Sequence, residues 1–578
     1  MTNESCHYVT IKAFWAIFVM VACLFVPCLG VNAAENLRVG QVIIERGDIF
    51  SPTEVREAPG PIGLTRRLMN GLHTKTRAHV LRRELLFREG DPYRPELLAE
   101  TERNLRELGY LNSISVAAED TSADGRVRIR VRVRDSWSLK TNLSYTRSAA
   151  GDTRWSMTLS EANFLGQGMT LGAGLGADEN SAFSNFWFRR SRLTAAHLVV
   201  GADYSQRGDG HIRAAFISRP FYSLAGKWSF LVMAKDQLFD ERYYLSRADP
   251  AGQGPGTSQS LYALIPHHEK SLVAGLRLRL SPPTEGRLWR LGAGVEIRDQ
   301  EFDLDGRSLW ELSDDRRVSL AYLARPGEPL DREQGLLVWP HLWLGTEGRR
   351  WAKTRFVWQY GAVEDVPLDA RLELKVGPAG HALGTDRGRG GALWRAELEW
   401  ARWGRLGPGF WTLQTIAEAQ VGARANRYHR AHLWAGYLAH HGGGRAPWLT
   451  RVFAEVAHGQ ALTGDRAFIL GLNRGMRTLD FDGQAGDRLV RWNVEQGKAA
   501  PWEVLGLFQT GVAVFYGGGA AWWRNEDRGP ADARHEVGVG LRLGPTRAAG
   551  TFTSKLDVSW ALDGSRGPVF TAVSSGFF

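Results

Sequence analysis

The 578-residue chain is predicted to fold as a small α+β domain followed by a large all-β, transmembrane antiparallel barrel. Three observations predict this. Over residues 76–109, apolar side chains recur at helical spacing. In "VRIRVRVRDSW", residues 127–137, they alternate with arginine at a period of two, the signature of a strand. From Ser138 to the end, helical periodicity almost vanishes while the period of two recurs.

The N-terminus is read first. Lys12 precedes "AFWAIFVMVACLFVPCLG", and small residues follow at Val31 and Ala33 or at Asn32 and Ala34. A basic residue, an apolar run and a small-residue site read as a secretory signal peptide over residues 1–34, with the mature chain beginning near Ala34 or Glu35. Cys6, Cys23 and Cys28 all lie in or before this run. A mature chain without cysteine excludes disulfide frameworks, thiolate zinc sites and cysteine nucleophiles. The 72 basic and 62 acidic residues leave a net charge of +10, which suits nucleic acid and anionic lipid alike and chooses neither. Later segments contain no apolar run long enough for a membrane-spanning helix. An exported chain of this kind is either soluble or a membrane β-barrel.

Residues 35–137 form the small domain. "VGQVIIERGDIF" reads as a first strand, and "SPTEVREAPGPIG" as a Pro/Gly-rich insertion. A short helix follows Thr76, with Val80, Leu81 and Leu85 on one side. Pro95 opens a second helix whose buried stripe is Leu97, Leu98, Thr101, Leu105 and Leu108, and Gly109 stands where a C-cap is wanted. "NSISVAAED", the turn "SADGR" and the arginine stretch give two more strands. On the last strand Val127, Ile129, Val131 and Val133 share one face, and Arg128, Arg130, Arg132 and Arg134 the other.

The stretch "LLFREGDPYRPELLAETERNLRELGYLNSISV" resembles a POTRA domain of bacterial outer-membrane assembly proteins of the BamA/TamA type. The resemblance implies a sheet covered on one face by two helices, with its second strand, about residues 113–119, at the edge. Ser113, Ile114, Ser115, Val116 and Ala117 would then receive an extended client polypeptide by β-augmentation. On this reading the arginines cover a solvent face. Nucleic acid is not an expected partner, because no recognition helix or stacking platform accompanies them.

Residues 138–578 carry the barrel pattern. Leu272, Ala274, Leu276, Leu278 and Leu280 oppose Gly275, Arg277 and Arg279. Leu556, Val558 and Trp560 oppose Lys555, Asp557 and Ser559. Such strands turn one face to lipid and the other to a wet lumen, and the 22 tryptophans suit interfacial girdles. Alternation marks about 20 strands, whereas the resemblance implies about 16, so some segments are expected to be halves of long strands or loop hairpins.

"EANFLGQG" and "SRPFYSLAGKW" resemble periplasmic turns of the same family. "FILGLNRGMRTLDFDGQAGDRLVRWNVEQ" resembles its long extracellular loop, which folds back into the lumen, here about residues 458–486. The resemblance implies that Arg474 and Gly475 are the loop's anchor pair. It makes Gly486, Asp487 and Arg488 the turn that follows, and Glu495 the acid that holds the arginine. An arginine fork on a partly desolvated carboxylate is a strong, geometrically fixed anchor. Gly517 stands where the family carries an aspartate, which removes one acid partner. The strands that close the barrel are about 138–147 and 567–578. Pro568 and Gly576 weaken the second of them, so the seam lined by Asn142, Pro568, Gly576 and Phe578 is expected to be the weakest in the wall.

No catalytic, metal or cofactor site is expected. "HHGGG", residues 440–444, lacks a nucleophile elbow and reads as a hairpin turn. The expected function is insertion or translocation of client polypeptides at the bacterial outer membrane, with the POTRA-like domain in the periplasm. Its expected partners are outer-membrane lipid and lipopolysaccharide, unfolded clients and periplasmic accessory proteins. A passive pore and a lipid-handling barrel are the alternatives.

Overall fold

The computed structural model describes residues 37–575, apart from 148–152, 179–180, 195, 246–260, 283–285, 304–309, 312–316, 319–333, 381–382, 384, 386–392, 423–427, 443, 445, 473, 482, 551–552 and 565–566. The expected signal peptide and the expected seam residues Gly576 and Phe578 lie outside the described residues.

The small domain runs β1 (Arg38–Gly47), α1 (Pro52–Arg56), α2 (Gly60–Leu72), α3 (Ala78–Glu84), α4 (Pro95–Glu107), β2 (Leu111–Thr121) and β3 (Arg126–Asp135). Its sheet has the order β1-β3-β2, with β3 parallel to β1 and antiparallel to β2. The valine face of β3 is buried under Leu81, Phe87, Leu98 and Leu105. The arginine face is solvated and neutralised by acids on both neighbouring strands. Arg132 reaches Glu45 at 3.0 Å and Glu119 at 3.3 Å, Arg130 bonds the same two carboxylates, and Arg134 reaches Glu54 at 3.0 Å. These are exposed pairs of small individual worth, and together they cancel the charge that nucleic acid would need.

The stretch read as a Pro/Gly-rich insertion is helical. Ser51 opens α1 with a capping box: its hydroxyl accepts the Glu54 N–H at 3.2 Å, while its own N–H donates to the Glu54 carboxylate at 2.7 Å. Pro52 sits at the first helical position, where its missing N–H costs nothing. Pro59 and Pro61 flank the start of α2 in the same way.

The remainder closes into one antiparallel barrel of twenty strands among the described residues, beginning with β4 (Leu139–Arg147) and β5 (Thr153–Glu161) and ending with a closing strand, Val569–Ser575. The alternation count therefore stands, and the sixteen implied by resemblance does not. The segments expected to be half-strands are whole wall strands. Among the described residues three short hairpins lie outside the wall, including Trp351–Arg355 with Val363–Pro367 and Phe468–Leu470 with Gln484–Gly486. The faces fall as the pattern requires: Leu276, Leu278, Leu556 and Trp560 are exposed on the outside, while Lys555, Asp557 and Ser559 are buried inside. β4 and β5 have 9 residues each, near the minimum for a tilted spanning strand, whereas Leu261–Arg279 has 19.

Candidate functional site

The site is built around the closure. β4 pairs with β5 along its whole length, from Leu139 opposite Glu161 to Arg147 opposite Thr153. On its other side it meets the closing strand through two rungs only, Thr146 opposite Thr571 and Ala572 opposite Tyr145. No other ladder of the barrel is as short among the described residues. Continuing the register brings Asn142 opposite Ser575. Pro568 stands just before the closing strand, exposed and outside the ladder.

A loop of residues 461–487 folds into the lumen behind this seam. Its hairpin, Phe468–Leu470 with Gln484–Gly486, packs with Met476 on Ala457, Leu489 and Ala521 of the inner wall. Leu472 and Phe481 bury Val569 of the closing strand, and the Arg154 guanidinium of β5 lies 3.9 Å from the Phe481 ring. The loop thus touches the wall on both sides of the seam.

Arg474 is not its anchor. That side chain is exposed, and its backbone N–H donates to the Gly471 carbonyl. Three residues on, Arg477 is the inserted fork. Its Nε donates to Asp557 at 2.8 Å and its Nη1 to Glu536 at 3.1 Å, while the ring of Phe515 lies 4.0 Å from the guanidinium. Glu536 also accepts the backbone N–H groups of Arg477 (2.8 Å) and Thr478 (3.0 Å). The displacement has a local cause. Gly475 has φ of +104°, and a Cβ there would lie 1.9 Å from the Arg491 guanidinium. The chain turns at Gly475, Met476 dives into the apolar cluster, and the next long side chain to face the wall acids is Arg477.

Glu495 does face the lumen and is buried, but Arg451 (2.9 Å) and Arg542 (2.6 Å) hold it, not Arg474. Arg542 also bonds Asp557, so the charges alternate without a break: Arg451, Glu495, Arg542, Asp557, Arg477, Glu536. Gly517 is compensated. Glu536 lies directly opposite it on the next strand, and Arg477 keeps two acid partners. Of the expected turn Gly486, Asp487 and Arg488, only Asp487 is a bend: Gly486 ends the hairpin strand Gln484–Gly486, and Arg488 opens the next wall strand. A Cβ on Gly486 would strike the Trp522 backbone at 2.0 Å, and the Asp487 carboxylate accepts the Arg524 N–H at 2.9 Å.

Sequence reasoning passed over the segment 349–370. It enters the lumen from the end that faces the small domain. Tyr360, fully buried at its tip, fills the space left by Gly511 and Gly544, where a Cβ would lie 2.1 Å and 2.3 Å from it. Phe356 packs on Leu449 and Ala499 of the inner wall. The tip is braced by Glu364, whose carboxylate accepts the N–H groups of Val357 (2.6 Å), Trp358 (2.9 Å) and Gln359 (3.1 Å). Arg451 sits 5.5 Å from the Tyr360 ring, so the plug and the charge chain meet at one guanidinium. Aromatic residues and a glycine in "FVWQYGAVED", between two wall strands, were the available signal.

The small domain holds this plug. Arg106 of α4 grips Asp365 with two bonds, 2.7 and 2.9 Å, and Glu102 accepts Lys353 at 2.6 Å. The fork-on-carboxylate geometry fixes orientation as well as distance. Arg106→Ala is expected to loosen the plug and make channel openings in planar bilayers several-fold more frequent. Unchanged conductance would show that the lumen loop, residues 461–487, closes the lumen alone.

The same domain docks on the turns singled out in the sequence. In "EANFLGQG", the Asn163 amide donates to Thr76 at 2.7 Å, and the Gly166 carbonyl accepts the Arg77 N–H at 2.9 Å. In "SRPFYSLAGKW", the Leu224 N–H donates to Glu100 at 2.6 Å, and the Tyr222 carbonyl accepts the Asn104 amide at 2.8 Å. Burial pushes the Glu100 carboxyl up, against the pull of that Leu224 donor. Arg547, from another turn, bonds Glu54 at 2.6 Å. Burial alone would raise the Glu54 carboxyl; the Ser51 and Arg547 donors outweigh it and bring it down to about 2. That bridge is complete above the ordinary carboxylate range and is lost only as pH falls toward 2.

Ser113, Ile114, Ser115, Val116 and Ala117 lie on β2, at one edge of the small sheet. The opposite edge is covered at its start by the "REGDPY" turn: the Val39 N–H donates to the Asp91 carbonyl, and the Tyr93 N–H to the Leu37 carbonyl. On β2, Ser113 has φ of +47° at a bulge, and the strand is solvent-exposed from Ala117 onward.

The POTRA family model, described as surface antigen variable number repeat, matches residues 68–135. The outer membrane protein assembly factor BamA of Neorickettsia risticii (strain Illinois) is 24% identical over 200 residues, covering 31% of this chain and 27% of that protein. The match therefore spans about a quarter of the relative's length. Among solved structures, BamA from Haemophilus ducreyi lacking POTRA domains 1-3 is 12% identical with a TM-score of 0.38, covering 95% of this chain and 86% of that one. CdiB from Acinetobacter baumannii is 10% identical with a TM-score of 0.40, covering 100% of both chains. The small domain thus carries a POTRA match over residues 68–135, and it stands beside a closed antiparallel barrel in a chain that is similar over part of its length to an outer-membrane protein assembly factor.

Proposed function

We propose that the protein moves client polypeptides into or across the bacterial outer membrane, using the POTRA edge as a receiver and the barrel seam as the exit. The two-rung closure carries this reading. A barrel that serves only as a wall gains from a complete ladder, and every other ladder of the barrel is longer among the described residues. The work is non-covalent: an extended client adds to β2 through main-chain hydrogen bonds and then exchanges pairing with the strands of the seam. The inserted loop holds the seam from within, and its release permits opening.

The plug and the loop weigh against a passive pore, because they occupy the lumen from both ends. The Arg477 anchor keeps two acids despite Gly517, and it holds the loop in the lumen. The test is a photo-crosslinking amino acid at Ala117, on the exposed stretch of β2, irradiated in growing cells. Adducts with unfolded outer-membrane or secreted polypeptides are the expected result. No client adducts at Ala117, beside a productive control site on the barrel, would overturn the receiver role.

A further inference from the structure

α2 is amphipathic in the opposite sense to a helix lying on a soluble domain. Its polar side chains face the protein. The Asn70 amide exchanges hydrogen bonds with the Phe50 backbone at 2.8 and 3.1 Å, and Arg66 donates to the Glu54 carbonyl at 2.8 Å while lying 5.1 Å from the Phe50 ring. The leucines face away. Leu64, Leu68 and Leu72, four residues apart, are 55%, 55% and 76% exposed, and at 100° per residue they fall opposite Arg66 and Asn70. The only charged residues of the helix are Arg66 and Arg67, and Arg67 is exposed beside the stripe. Water is a poor solvent for such a stripe, so something apolar covers it.

Its position indicates the cover. Phe50, Val55 and Met69 pack on Leu507, Phe508 and Ala548, at barrel turns on the side of the small domain. A Cβ on Gly506 would lie 3.0 Å from the Arg66 guanidinium. Beside that glycine the barrel rim is itself exposed and apolar: Trp502 is 64% exposed, Val504 43% and Leu505 48%.

We propose that α2 is a monotopic membrane helix, lying in the periplasmic leaflet with its leucines among phospholipid acyl chains and Arg67 at anionic headgroups. It continues the lipid-facing belt of the barrel past the rim, and it rests on the reading of the barrel as an outer-membrane wall. A helix with leucine on one face, a basic edge and no acid has the composition of an interfacial anchor. The anchored helix fixes the small domain against the membrane plane beside the turns that lead to the closing strands.

The test places single cysteines at Leu68, Arg128 or Leu556 in the full chain, with Cys6, Cys23 and Cys28 changed to serine. Each is labelled with an environment-sensitive fluorophore in vesicles of phosphatidylethanolamine and phosphatidylglycerol. Leu68 is 55% exposed and lies outside the Phe50–Leu507 cluster, so Leu68→Cys is expected to leave the fold intact. Lipids brominated on the acyl chains are expected to quench the Leu68 label several-fold more than aqueous iodide does, and the Arg128 label the reverse. Iodide quenching at Leu68 equal to that at Arg128 would overturn the proposal. So would protection from both quenchers, which would mean a protein covers the stripe, whether a second copy or an added unfolded polypeptide. The Leu556 label reports the wall: loss of bromine quenching there would show that the barrel reading, and not the helix alone, has failed.

Discussion

Oxidation of a cysteine pair introduced as Thr146→Cys and Thr571→Cys is expected to abolish client insertion, and reduction to restore it. These residues face each other across the seam, and both side chains are buried on the lumen side. Directly opposed residues of an antiparallel pair lie about 4.5–5.5 Å apart at Cα, inside the range a disulfide spans without moving the backbone. The bond locks two strands that otherwise share two rungs, so opening would require breaking a covalent link. The control is a pair at Asn142 and Thr158, which face each other in the full ladder between β4 and β5. Oxidised, that pair is expected to leave insertion unchanged. The readout is the rate at which a client barrel becomes heat-modifiable on a gel, with crosslinking scored on the same sample. Full insertion through a seam shown to be crosslinked would end the lateral-exit reading and bring the passive pore forward.

The second large effect is expected at Arg477. Replacing it with alanine leaves Glu536, which is fully buried, facing Thr478 and an empty space where its cation stood. Breaking a buried pair by removing one partner costs on the order of 3–5 kcal/mol. Loop opening should then rise by roughly two to four orders of magnitude, read as cleavage of residues 461–487 by an added protease. Arg474→Ala, on an exposed side chain, is expected to stay within about 0.5 kcal/mol of the parent. The double change Arg477→Ala with Glu536→Ala should cost less than the sum of the two single changes, since the Arg477–Glu536 pair is lost in both, while each also loses contacts of its own, Arg477 with Asp557 and Glu536 with the Thr478 N–H. Additive effects would show that the pair does not hold the loop.

The wall, the POTRA-like domain and the turns were legible because period and turn chemistry are local. Each strand declares its faces within ten residues, and α4 its stripe within thirteen. The anchor was legible in kind but misplaced by three residues. Which arginine enters the wall depends on where Gly475 turns, and that is decided by Arg491, sixteen positions away in the next strand. Glu536 was hidden for a similar reason: its partner loop is joined to it only through tertiary register. The plug was missed because its strands, Trp351–Arg355 and Val363–Pro367, have only five residues each, too few for a periodicity to announce them. α1 should have been found. "SPTE" before "VREAP" is a capping box with proline at the first helical turn, and the prolines drew the reading toward a loop.

The charge chain and the seam differ in how far apart along the chain their partners lie. Arg451 and Glu495 are 44 residues apart, Glu495 and Arg542 47, and Arg477 and Asp557 80. Across the seam, Ser144 and Ala572 are separated by 428. Loop-closure entropy grows as the logarithm of separation, so closing the seam costs about 1.5–2 kcal/mol more than joining the members of the chain, for far fewer hydrogen bonds in return. Folding therefore has a direction. The C-terminal strands are expected to gather around their arginines first and the seam to pair last, which pulsed hydrogen exchange would show as the latest protection along Thr571–Ala572.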